Sequence, residues 1–119
     1  MLSDLPIFQV YSAMARHAAE AQRVSATNIS RAGEPGYKAQ KVESFEDYMT
    51  RAKGVDTSSV QALPFRTFEA SGPQAPNGNS VNIEHEVFSS AQAMGQHNMA
   101  LTVYTKSLDL MRTALGKGR

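Results

Sequence analysis

Residues 81–116 read VNIEHEVFSSAQAMGQHNMALTVYTKSLDLMRTALG. Every seventh residue from Val87 is apolar: Val87, Met94, Leu101, Leu108 and Leu115. Ala91, His97, Tyr104 and Met111 fall between them at three- or four-residue steps. This spacing predicts one long amphipathic helix with its seam at heptad period. No proline interrupts it, and Gly95 is its internal glycine, at a close helix contact or a bend. Asn82 is placed to cap its start, with Glu84 and Glu86 in the first turns, where the helix dipole favours carboxylates. Gly116 is the expected stop, with Lys117 and Arg119 at the negative end. At about 1.5 Å per residue such a helix is ~50 Å long, too long to bury its seam without a second long helix.

The chain offers that second helix at its other end, over 3–32. Ser3 or Asp4 can cap it, and Pro6 falls in the first turn, where a missing N–H costs little. Its seam reads Ile7, Val10, Met14, His17, Ala21, Val24 and Asn28, narrowing from apolar to polar. Gly33 can supply a left-handed residue after it. Pro35 then excludes helix at Glu34, and Pro35-Gly36 is a type II turn pair, so the chain turns and emerges extended at Tyr37.

Segment 33–80 is predicted as turn, short helix and loop. Ser44-Phe45-Glu46-Asp47 resembles a capping box opening a helix to about Lys53, with Phe45, Tyr48 and Met49 on one side. Beyond it the apolar islands are Val60, Leu63, Phe65 and Phe68, and 63–68 suits a short strand or hairpin. Residues 71–80 form a loop by composition, mobile or ordered by a partner. The expectation is one mainly α domain: two long terminal helices in an antiparallel coiled-coil hairpin (3–32 and 81–116), with a short helix and an irregular or β middle.

Composition narrows the function. The chain has 119 residues, a net charge of +1, no cysteine and no tryptophan. Near-balanced charge argues against a nucleic-acid partner or a polybasic membrane anchor. No apolar run approaches the ~18–20 residues of a membrane span, so direct membrane insertion is not expected. No cleavable signal peptide is visible. His85-Glu86 lacks the second histidine of a zinc-protease helix, and no Gly-x-Ser-x-Gly context surrounds any serine. No enzyme activity, cofactor or metal is expected. His17 and His97 read as seam residues, and Arg16, Arg23 and Arg31 as a solvated face.

Two separated segments resemble a known family. Ala26-Thr27-Asn28-Ile29-Ser30, then Pro35-Gly36-Tyr37-Lys38-Ala39, is similar to the signature of bacterial flagellar rod and hook proteins. There an N-terminal helix ends in Ser-Asn-Ile-Ala-Asn and Thr-Pro-Gly-Tyr or Thr-Pro-Gly-Phe follows. Gly78-Asn79-Ser80-Val81-Asn82-Ile83-Glu84 resembles the Gly-Asn-x-Val-Asp-Leu-Glu leading into the C-terminal helix of proximal rod members. Ser30, Arg31, Gly33, Glu34 and Asn82 depart from the residues common at their places.

The resemblance implies a structural subunit of the basal-body rod, a coiled-coil tube that serves as the drive shaft for motility. It implies type III export without a cleaved signal and a location in the periplasmic space. The implied partners are other copies of the chain, other rod proteins, and the MS ring with its adaptor. Coupled folding and assembly is the expected mechanism, each seam being ordered as a neighbour buries it. The alternative is a soluble helical adaptor or export chaperone that binds an amphipathic partner helix.

Overall fold

A computed structural model describes residues 6–54 and 63–117. The order of elements is α1 (Pro6–Ser30), β1 (Gln40–Val42), α2 (Phe45–Ala52), β2 (Thr67–Glu69) and α3 (Ile83–Lys117). The two long helices pack antiparallel. Phe8 near the start of α1 meets Tyr104 edge to face, ring centroids 5.3 Å apart, while Asn28 near its end meets Glu86 in the first turns of α3. The molecule measures 68 × 28 × 16 Å, a rod in outline rather than a sphere. Expected caps at Ser3 or Asp4 and the island at Val60 lie outside the described residues.

The local signals act as their chemistry requires. The Asn82 side chain accepts from the His85 N–H at 3.1 Å, and its carbonyl accepts from Glu86 at 3.0 Å, which starts α3. Ser44 caps α2 by accepting from the Asp47 N–H at 3.1 Å. Pro35-Gly36 forms the expected turn: the Tyr37 N–H reaches the Glu34 carbonyl and Gly36 takes φ 77°. Gly33 does not have positive φ, so the left-handed residue comes three positions later than expected. Helix α3 runs through Gly116 to Lys117. Gly95 faces open space, so it marks no close helix contact.

The seam between the helices lies one residue away from the expected row on α3. Glu86, Ala93 and Ala100 are buried, and Ser89, Ser90, His97, Val103, Tyr104, Leu108 and Met111 are half-buried. Val87, Met94, Leu101 and Leu115 are 55, 53, 45 and 64% exposed, and Ala91 is exposed too. On α1, Val24 and Asn28 are buried and Val10 and Met14 half-buried, but Ile7 is exposed. The physical reason is size. Alanine and serine allow the helices to approach closely, so the small-residue row turns inward and the bulky row is left outside.

The middle segment builds a second, smaller core against α1. β1 pairs antiparallel with β2 in the register Gln40↔Glu69, Lys41↔Phe68 and Val42↔Thr67. Tyr48 is fully buried, tilted on Phe65 at 4.4 Å, and His17 of α1 meets the Phe45 and Phe65 edges at 5.7 and 5.4 Å. Three of the nine aromatics, Phe45, Tyr48 and Phe65, gather here around His17, where they add area and edge-to-face attraction. Residues 73–80 bond to the chain's own turn. Gly36 donates to the Asn77 carbonyl, and Ser80 donates to the Tyr37 carbonyl, which pins the loop to the turn after α1.

Candidate functional site

The two family-like segments, some forty residues apart, fold into a single joint. Its centre is Asn28, fully buried on the last turns of α1. The Asn28 Oδ1 accepts from the Tyr37 hydroxyl at 2.8 Å and from the Gln40 N–H at 3.0 Å. Its Nδ2 donates to the Gln40 carbonyl at 2.8 Å and to both Glu86 oxygens at 2.9–3.0 Å. The side-chain amide therefore pairs with both backbone groups of Gln40 as a neighbouring strand would. One residue ties α1, β1 and α3 together, with its hydrogen-bonding capacity filled.

Asn79 does the same on the other side of the joint. It is buried, and its Nδ2 donates to the Arg31 and Glu34 carbonyls at 2.9 and 2.7 Å. Those carbonyls belong to the unwinding end of α1, which has no helical partner for them. Its Oδ1 accepts from the Val81 N–H at 2.8 Å, turning the chain into α3. Gly36 and Gly78 cross here, both with positive φ (77° and 85°). A Cβ on Gly78 would stand 3.4 Å from the Gly36 Cα. That is ordinary van der Waals distance, so glycine is needed at both positions for conformation and not for space. Lys38 reaches over to the Gly78 carbonyl at 2.5 Å. Ile29 and Pro35 of the motif face solvent, and Val81 is half-buried.

A second polar cluster fixes the middle segment. Glu43 is buried, and Arg51 clasps it with Nε to Oε1 at 3.0 Å and Nη2 to Oε2 at 2.5 Å. The Arg66 N–H adds a bond of 2.6 Å to Oε2, and His17 Nε2 lies 2.5 Å from the Glu43 carbonyl oxygen. Arg51 holds the Glu43 carboxyl below its ordinary value, against burial, which raises it; the Arg66 N–H lowers it further. A lowered folded value contributes stability above the unfolded value near 4.5, lost as pH falls through the folded value. Acidification below about pH 4.5 is therefore expected to loosen the α2–β2 segment. Amide exchange at Glu43 and Arg66 measures it, and Glu43→Gln is expected to flatten the dependence in that window.

Two features face outward. One is the apolar row Val87, Met94 and Leu101, continued by Leu115, with Ile83, Phe88 and Leu110 also exposed on α3. The other is an open groove of about 490 Å³ between α1, β1, residues 70–73 and the first half of α3, with Ala21, Val24 and Ala93 in its lining beside Glu86. Among the described residues no three histidines or carboxylates come together as metal ligands, and no helix is long and apolar enough to cross a membrane. His85 lies 3.5 Å from the Ser89 hydroxyl on an exposed helix surface, and among the described residues no third group orients it.

The structure thus unites Asn28, Tyr37, Gly36, Gly78 and Asn79. It splits the expected seam: Tyr104, Leu108 and Met111 turn towards α1, and Val87, Met94, Leu101 and Leu115 do not. Sequence reasoning missed the buried carboxylates Glu43 and Glu86, since glutamate is an ordinary helix-surface residue until its partners are known. The Ala93–Ala100 heptad, beginning at Glu86, was a readable signal for the inner row. Comparison with known proteins yields neither a family model that matches the chain nor a matching curated relative.

Proposed function

We propose that the chain is a structural subunit of the bacterial flagellar basal-body rod, of the proximal (FlgB-type) kind. The observation that carries this reading is the joint. The residues that resemble the rod-protein signature, Asn28, Pro35-Gly36-Tyr37 and Gly78-Asn79, set the crossing of the two terminal helices. Such a joint gives each subunit a fixed stave geometry, as a tube wall requires. The exposed row Val87, Met94 and Leu101 supports the same reading, because an apolar helix face of this length is suited to burial against neighbours.

In this reading α1 and α3 pack beside those of other copies and other rod proteins, next to the MS ring and its adaptor in the periplasmic space. The chain reaches that place by type III export without a cleaved signal. Its work is mechanical, and it carries out no reaction. Deleting the chain from its host is expected to abolish motility and leave basal bodies without a rod. Density for the α1–α3 hairpin in the wall of purified basal bodies would place it there. Intact rods in the deletion strain would overturn the reading. A stable one-to-one complex with an amphipathic helix would favour the adaptor alternative.

A further inference from the structure

Asn77 is the only asparagine of the chain that is followed by glycine. The fold dictates that glycine. Gly78 has φ 85°, a left-handed conformation that strains most other residues. Asn77 precedes it in the tight turn Ala75-Pro76-Asn77-Gly78, closed by the Gly78 N–H on the Ala75 carbonyl at 2.8 Å. The Asn77 Oδ1 accepts from the Asn79 N–H at 3.0 Å, the local bond that suits asparagine to such a turn. The crossing of the two segments thus selects a chemically reactive pair. Glycine has no side chain to shield its nitrogen, and Asn77 is exposed to water.

The reaction open to this pair needs only water. The Gly78 nitrogen gives up its proton and attacks the Asn77 Cγ. A nitrogen–carbon bond forms, the Cγ–Nδ2 bond breaks, and ammonia leaves with the proton, closing a cyclic succinimide. Water then opens the ring. Entry at the former side-chain carbonyl gives aspartate. Entry at the former backbone carbonyl gives isoaspartate, in which the main chain runs through the side-chain methylene. Nothing is oxidised or reduced.

The closed joint opposes this step. The nitrogen that must attack is the one whose proton is donated to Ala75, and the Asn77 Oδ1 is held by the Asn79 N–H. Lys38 fixes the next carbonyl, that of Gly78, at 2.5 Å. The product is equally incompatible with the closed joint. The Asn77 carbonyl accepts from the Gly36 N–H at 2.9 Å. In isoaspartate that oxygen joins a pendant carboxylate, and the main chain to Gly78 is longer by a carbon. Asn79 is then drawn off the Arg31 and Glu34 carbonyls that it caps. We propose that Asn77 is a modification site gated by the joint: opening of the turn lets it deamidate to isoaspartate, which keeps the crossing of Gly36 and Gly78 from closing again. This holds whether or not the chain belongs to a rod.

The test follows the full chain in mildly alkaline buffer, native and in denaturant, by peptide mapping and enzymatic methylation of isoaspartate. Isoaspartate at residue 77 is expected to form at least about tenfold more slowly in the folded chain. Below the unfolding transition, added denaturant should raise its rate in proportion to hydrogen exchange of the Gly78 amide. Asn79→Ala leaves Asn77-Gly78 in place and removes the clamp on α1, so it is expected to bring the rate in native buffer towards the denatured one. A chain carrying isoaspartate at 77, returned to native buffer, should exchange its Gly36 amide freely. Folded wild type modified as fast as the denatured chain, a rate indifferent to Gly78 exchange, an Asn79→Ala rate equal to wild type, or an isoaspartate chain with Gly36 protected as in wild type would each overturn the proposal.

Discussion

Asn28→Ala is expected to destabilise the fold by about 3–5 kcal/mol, the largest loss from any single truncation of the joint. The loss comes from what the change leaves behind. The Glu86 carboxylate stays buried and loses its donor, as does the Gln40 carbonyl, while the Gln40 N–H and the Tyr37 hydroxyl lose their acceptor. An unpaired buried neutral group costs ~1–3 kcal/mol, and an orphaned charge more. Chemical denaturation of the purified chain measures the loss. Much of it comes from the stranded carboxylate, so Glu86→Leu placed in the Asn28→Ala background should recover part of the stability. Asn28→Asp should be at least as damaging as Asn28→Ala, because it sets a second carboxylate against Glu86. A change below ~1 kcal/mol in Asn28→Ala would show that α1, β1 and α3 are held together by packing alone.

The same joint marks the limit of what the sequence discloses. Both long helices, the short one and the turn at Pro35-Gly36 are legible because each signal is local: a cap, a period, a proline before a glycine. The motif residues are legible as a pattern, but their pairing is not. Asn28 and Glu86 are 58 positions apart, and neither shows that it will be buried. The seam fails for a related reason. A heptad of large apolar residues says that a surface needs covering, without saying what covers it. Within the chain that place is taken by Ala93 and Ala100, whose small size lets the helices close up. The displacement by one residue carries information, since it leaves the large row exposed.

Leu101→Asp tests that division between inner and outer rows. Leu101 is half in solvent on the face turned away from α1, so the isolated chain should lose little, about 0.5–1 kcal/mol, from lower helix propensity. In a tube wall the same position is buried, and an unpaired carboxylate there costs several kcal/mol at every subunit. The expected result is normal expression, normal helix content and normal export, with assembly into the rod and motility abolished. Ala100→Asp is the informative neighbour. Ala100 is fully buried between α1 and α3, so its replacement should unfold the hairpin itself and abolish helix content along with assembly. Two adjacent residues thus separate the fold from the assembly. If Leu101→Asp rods form and turn normally, the apolar row is not the surface that neighbours bury, and the packing of this chain into a wall must use another face. If Leu101→Asp unfolds the isolated chain as Ala100→Asp does, the inner and outer rows are not independent, and burial of the hairpin extends further around α3.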